Sequence, residues 1–241
     1  MDLIFSYDII ITLITLTFLE IILGIDNIIF IALVAGQIPE KVRTKARYLG
    51  ISLALIIRIA MLFMLSWIMS LTKPIFSLGN LEFSIKSLLL IIGGLFLVFK
   101  SAAEIYSDIA KTENKQTKTI AKSSFFAAAM QITLVDFVFS FDSIITAIAI
   151  TDNITIIIIA VLISMIVMLA FSGKVSEILI NYPNLKTIAL AFIFAVGVIL
   201  ILDGFSLHIA KGYLYCALFF TFGVEFLNIL RQKNNCTQPK K

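Results

Sequence analysis

Seven long apolar segments limit the fold of this sequence more than any other feature, because each could cross a lipid bilayer. A spanning helix needs about 20 mostly apolar residues. Hydrophobic residues make up 60% of the 241 positions, charged residues 14%, and the mean hydropathy is +1.06. The sequence therefore predicts an all-α polytopic membrane protein with no soluble domain. The predicted spans are 8–35, 49–71, 85–104, 124–150, 154–172, 186–203 and 210–230.

The first and fourth segments contain matching acidic motifs. The first reads Glu20-Ile-Ile-Leu-Gly-Ile-Asp26-Asn27, and the second reads Asp136-Phe-Val-Phe-Ser-Phe-Asp142-Ser143. Each places two carboxylates six residues apart and a small polar residue after the second. An ionised carboxylate near the bilayer centre costs roughly 2.5–3.5 kcal/mol, so four would cost on the order of 10–14 kcal/mol. A bound cation is the natural compensation for that cost.

The two motifs are offset by a constant interval, which predicts an internal repeat. A weaker echo links the third and sixth spans, where Gly94 and Lys100 are spaced like Gly197 and Asp203. Three helices per copy place the copies in opposite membrane orientation, and such inverted repeats are typical of secondary transporters with a midplane site. The predicted units are repeats at 1–106 and 124–203, a cytoplasmic linker at 107–123, a seventh helix at 204–230 and a cytoplasmic tail at 231–241.

The distribution of Lys and Arg predicts the orientation. Fifteen of the 19 basic residues fall on one side of the predicted spans, against Lys73, Lys86 and Lys211 on the other, with Arg58 in mid-span. The N-terminus is therefore predicted outside and the C-terminus in the cytoplasm, with the chain in the cell's inner (plasma) membrane. The net charge of +4 arises in short loops and the tail, so the predicted partner is the bilayer and no nucleic acid is expected.

The candidate ligands are all oxygen atoms, which suit Mn²⁺, Ca²⁺ or Mg²⁺ better than Zn²⁺ or Cu⁺. Such an ion would be cargo, with no tightly bound cofactor expected, and Na⁺ stays open. Residues six apart on an unbroken helix point about 120° and 9 Å apart. Two acids of one motif can therefore share an ion only if the helix breaks between them. In the first motif the span could unwind at Gly24 and offer backbone carbonyls to the ion. In the second motif Ser140 takes that place, and its hydroxyl could satisfy a freed carbonyl. Alternatively, acids of the two motifs meet across the repeat interface. We favour a composite site with an inner pair, Asp26 and Asp142, flanked by Glu20, Asp136, Asn27 and Ser143.

Other charged residues leave alternatives open. Arg58 could pair with an acidic motif or replace the cation when the site is empty, or it could form a fixed internal salt bridge. Asp203 could act at the outer mouth, and Glu225 could line an exit path or anchor the last helix at the interface. Crowded carboxylates repel one another, so some could hold protons until a cation binds, which makes cation/proton exchange a hypothesis.

At these motifs the chain resembles the TerC family of integral membrane proteins. Both acidic motifs look like that family's signatures, and the segments His208-Ile-Ala-Lys-Gly-Tyr-Leu-Tyr and Val224-Glu225-Phe-Leu-Asn228 are similar to its last part. The resemblance implies a seven-helix fold related to LysE-type exporters and export of a metal ion, most often Mn²⁺. The family name refers to tellurite resistance, which is a phenotype. By position, the resemblance places Glu20, Asp26, Asn27, Asp136 and Asp142 along the ion path.

Three readings compete with a cation exporter. The acids could serve only as hydrogen-bonding contacts between helices. Paired membrane aspartates also occur in aspartyl proteases, but the Gly-x-Gly-Asp pattern is missing and no enzyme activity is expected. A membrane assembly factor could deliver metal to exported proteins or assist their insertion, with secretion-machinery contacts. A homodimer is also open.

Overall fold

The computed structural model describes residues 7–64, 72, 74–78, 81–113, 125–151, 153–207 and 209–236. Helices dominate this described part of the chain, and one small hairpin interrupts them. The elements are α1 (Tyr7–Leu23), α2 (Ile25–Gly36), α3 (Glu40–Phe63), β1 (Pro74–Leu78), β2 (Leu81–Ser84), α4 (Ile85–Glu113), α5 (Phe125–Ile150), α6 (Ile154–Asn181), α7 (Pro183–Gly204) and α8 (Lys211–Cys236).

Seven segments are long and apolar enough to cross a membrane, which confirms the predicted fold class. The first span is α1 followed by α2, and the second to seventh spans are α3 to α8 in order. Two predicted spans had wrong boundaries. The second span begins at Glu40 and ends at Phe63, because its first turns are basic and still helical, and the fifth continues to Asn181. Helix α4 extends to Glu113, so the first seven residues of the predicted linker are helical, whereas 114–124 lie outside the described residues.

Local sequence signals account for several helix ends. Asn153 caps α6, since its side-chain oxygen accepts the amides of Thr155 and Ile156 at 3.1 and 3.4 Å. Pro183 starts α7, where its missing N–H costs nothing. Arg43 donates to the carbonyls of Ala35 and Ile38 and so satisfies the end of α2.

A two-stranded antiparallel hairpin, β1 and β2, precedes the third span. The all-α prediction passed over it. Its sequence signal is Gly79-Asn80 between two short apolar runs, a pair typical of tight hairpin turns.

The spans pack in the pattern that two copies of one unit would produce. The first span packs on the fifth and the second on the fourth, while the third packs on the sixth. If span one is exchanged with four, two with five and three with six, the set of packed pairs stays the same. At the contact between α4 and α7, a Cβ on Gly94 would lie 2.6 Å from the Gly197 carbonyl oxygen, and one on Gly197 would lie 2.9 Å from the Gly94 carbonyl oxygen. The two glycines matched in the sequence therefore touch each other.

The seventh span lies at the edge of this six-span core. Helix α8 packs mainly on α7. Among its described side chains, 211–231, Leu218 alone is buried. Large apolar side chains such as Phe219, Phe220 and Leu227 are exposed, as expected for a lipid-facing surface.

Candidate cation site

The first span is interrupted at Gly24, between the two acids of the first motif. The Gly24 amide bonds to the Glu20 carbonyl at 2.9 Å, and the Gly24 carbonyl accepts the Ile28 amide at 3.0 Å. Among the backbone bonds of this described region, none runs from the next three amides, 25–27, back to α1. Gly24 itself keeps right-handed dihedrals, with φ −83° and ψ −4°. The hydrogen-bond ladder of the span is thus interrupted at one residue, and carbonyls at the end of α1 are released from it.

The second motif has no such interruption, because α5 is continuous through it. The predicted role of Ser140 was wrong. Its hydroxyl donates to Asp136 Oδ2 at 2.9 Å and accepts Arg58 Nε at 2.8 Å, so no freed carbonyl is involved. Ser140 therefore fixes a carboxylate and a guanidinium beside each other.

Arg58 joins the two motifs through their first acids. Its Nη1 donates to Glu20 Oε2 at 3.1 Å and its Nη2 to Asp136 Oδ1 at 3.3 Å. Arg58 and both carboxylates are at most 4% exposed at their side chains. Such a pair is stable only when the charges are matched and hydrogen-bonded. The structure therefore favours the predicted pairing of Arg58 with the acidic motifs.

The small polar residue at the end of each motif lies next to the first acid of the other motif. Asn27 Nδ2 donates to Asp136 Oδ1 at 2.9 Å. Ser143 lies near the Glu20 carboxylate, and its hydroxyl donates to the Ser140 carbonyl at 3.3 Å. Asn27 matches Ser143 and Glu20 matches Asp136 in the repeat, so each small polar residue lies beside the first acid of the other motif. The site thus lies between the repeats, with both halves contributing to it.

The second acids of the motifs form a separate group. Asp142 accepts Lys86 Nζ at 3.2 Å and Lys211 Nζ at 2.9 Å, and its side chain is 27% exposed. Asp26 is buried and accepts the Tyr215 hydroxyl at 3.4 Å, with Lys211 within electrostatic reach. Of the predicted inner pair, Asp26 is buried, but Asp142 is partly exposed and is paired with two lysines. Glu20 and Asp136 are the two acids that share a buried partner, Arg58.

Several buried oxygens of the first motif have no hydrogen-bond partner. They are Glu20 Oε1, Asp26 Oδ1 and Asn27 Oδ1. Thr17 Oγ1, one turn before Glu20, is also buried without a hydrogen-bond partner. A buried polar atom without a partner is costly, so each needs an explanation. Within the described part of the chain, no three His, Cys, Asp or Glu side chains converge on one point. A cation would therefore combine carboxylate oxygens with the Asn27 amide and the carbonyls freed at Gly24.

Two predicted residues lie outside these groups. Glu225 is half-buried and accepts hydrogen bonds from Asn184 at 2.8 Å and Asn228 at 3.3 Å. Asp203 is half buried at the end of α7, where its carbonyl accepts the Ser206 amide.

Sequence reasoning missed three side chains that contact the acids, namely Lys86, Lys211 and Tyr215. A usable signal was present for the two lysines. Both begin a span on the side where basic residues are scarce, which marks them as exceptions to the charge asymmetry.

The fold and the buried charges define a polytopic membrane protein with an ionisable site between two exchanged halves. The chain belongs to the TerC family, since the family model described as integral membrane protein TerC family matches residues 5–240. It is similar to UPF0053 inner membrane protein YgdQ of Escherichia coli K12, at 43% identity over 92% of each chain.

Two further relatives extend this comparison. A UPF0053 protein of Haemophilus influenzae is 43% identical over 91% of this chain and 92% of its own length. UPF0053 inner membrane protein YoaE of Escherichia coli K12 is 39% identical over 92% of this chain but only 43% of its own length. No solved structure matches. Two of these three relatives are named inner membrane proteins, and none of the three names gives a substrate.

Proposed function

We propose that this protein is a secondary transporter that exports a divalent metal cation, Mn²⁺ first among the candidates, through the carboxylate site between its two repeats. The observation that carries the proposal is the set of unpartnered, buried oxygens on Glu20, Asp26 and Asn27 beside the interruption at Gly24. Carboxylate, amide and carbonyl oxygens are the ligands that Mn²⁺, Ca²⁺ and Mg²⁺ prefer.

A purely structural role explains these oxygens less well. Helix–helix contacts through polar groups satisfy both partners, as the Asn27 amide nitrogen and Asp136 do. Leaving three oxygens of one motif unsatisfied at membrane depth brings no packing benefit, whereas a cation would satisfy those that it binds.

Arg58 has a second role in this proposal. It neutralises part of the charge on Glu20 and Asp136 while no cation is bound, which keeps the empty site folded. A divalent ion that approaches these acids competes with the guanidinium for their oxygens. Exchange against protons is the proposed driving reaction, because a carboxylate freed of its cation in a water-poor site favours a proton.

The test is uptake of Mn²⁺ into proteoliposomes, followed with a trapped metal-sensitive dye. Glu20→Gln and Asp26→Asn should each reduce the initial rate at least about tenfold, the factor that about 1.4 kcal/mol produces. Glu177→Gln is the matched control, since it makes the same chemical change on an exposed position of α6. It should transport like wild type.

Two results would contradict the proposal. Full flux in Glu20→Gln and Asp26→Asn would leave the motif acids a structural role only. Absence of flux in wild type for Mn²⁺, Ca²⁺ and Mg²⁺ alike would favour the assembly factor, which moves little bulk metal. Insensitivity of the rate to an imposed pH gradient would remove the proton-exchange step alone.

A further inference from the structure

One helix outside the repeats contacts the second acid of both motifs. Lys211 at the start of α8 donates to Asp142, and Tyr215, one turn later, donates to Asp26. Asp26 and Asp142 occupy matched positions in the two repeats. The first acids are held differently, by Arg58 from within the core. The seventh span is therefore placed against the matched pair that Arg58 leaves unbound.

Helix α8, which carries Lys211, is attached to the core more weakly than the helices that carry the other two basic residues at the site. Lys86 begins α4, which packs along α7 with glycine backbones in contact. Arg58 is buried in the middle of α3. Lys211 belongs to a helix on which most described side chains are exposed and Leu218 alone is buried. Of the three cations beside the acids, the Lys211 ammonium can move away with the least loss of packing.

The charges at the site also favour the departure of one basic residue when a divalent ion binds. Four ionised carboxylates and the cations Arg58, Lys86 and Lys211 sum to −1. A divalent ion added to all three would bring the site to +1, whereas the same ion with Lys211 withdrawn brings it to zero. An uncompensated charge at membrane depth is costly, so the neutral combination is favoured.

We propose that Lys211 is a tethered competitor for the transported cation: its ammonium occupies Asp142 in the empty site, and α8 moves away with it when a divalent cation binds. Tyr215 moves with the same helix and releases Asp26. This inference rests on the proposed cation site, and it assigns the seventh span the role of gate.

The test is the dissociation constant of Mn²⁺ for the purified full-length protein in detergent, measured by titration calorimetry. Lys211→Met removes the competitor and should tighten Mn²⁺ binding about fivefold, the factor expected for one half-buried ion pair of about 1 kcal/mol. Lys211→Gln, a second neutral variant, should do the same. Lys211→Arg keeps the charge and should bind like wild type.

Lys174→Met is the matched control, because it removes the same charge from an exposed position of α6. It should leave the constant unchanged. Equal or weaker Mn²⁺ binding by monodisperse Lys211→Met and Lys211→Gln would overturn the proposal, and so would tightening of the same size in Lys174→Met.

Failure of the gate and failure of the transporter give different results. Tighter binding in Lys211→Met without flux in any proteoliposome supports the gate and overturns transport. Flux in wild type with identical constants in wild type and Lys211→Met supports transport and overturns the gate. No binding of Mn²⁺, Ca²⁺ or Mg²⁺ by any protein overturns both.

Discussion

Replacing Arg58 by methionine should be one of the most destabilising single changes in this protein. The guanidinium bonds to Ser140, Glu20 and Asp136 at 2.8, 3.1 and 3.3 Å. Methionine fills much of the same volume but leaves two buried carboxylates without a counter-charge. Breaking a buried ion pair by removing one partner costs about 3–5 kcal/mol. In a chain of this length, each kcal/mol lowers Tm by about 2–4 °C, so we expect a decrease of about 6–20 °C.

The assay is thermal unfolding in detergent, followed by the loss of the monodisperse peak in size-exclusion chromatography after heating. The triple variant Arg58→Met, Glu20→Gln, Asp136→Asn removes the two charges together with their partner. It should recover at least half of the lost Tm, because neutral side chains in place of a buried ion network are tolerated far better than an unpaired charge. A triple variant no more stable than Arg58→Met would show that the loss came from packing and would refute the electrostatic argument.

Three further predictions concern packing, the motifs and topology. Gly94→Ala should destabilise the fold by about 1–3 kcal/mol, since its Cβ would meet the Gly197 carbonyl oxygen, whereas Gly223→Ala, with nothing within 4 Å, should not; thermal unfolding compares them. Ser140→Ala removes two buried hydrogen bonds and should lower stability by about 1–3 kcal/mol in the same assay, and an unchanged Tm would contradict the contacts described. Tags at the two termini should report opposite sides of the membrane, and a same-side result would break the inverted-repeat argument.

The architecture was largely predictable because membrane folds follow from the length and period of apolar segments. Seven spans, the repeat and the match between Gly94 and Gly197 are visible as sequence patterns, whereas the contact between the two glycines appears only in the structure. The extension of the second span back to Glu40 was not predictable, because its first turns are helical although they are rich in basic residues.

The candidate site was predictable in its members but not in its arrangement. The motifs identify Glu20 and Asp136 as a matched pair, yet spacing along a helix cannot say which acids Arg58 reaches from another span. Placing Asp142 deeper than Asp136 failed for the same reason. Its partners Lys86 and Lys211 come from two helices whose approach depends on tertiary packing.

The contact between Gly94 and Gly197 has a mechanical consequence. A two-fold axis that exchanges the repeats must pass between these two residues, where α4 and α7 approach without intervening side chains. When one repeat turns against the other about such a pivot, each atom is displaced in proportion to its distance from the axis. Small angular changes at the glycines therefore become large translations at the periphery, and spectroscopic labels should be placed far from these glycines, with their stationary reference beside the pivot.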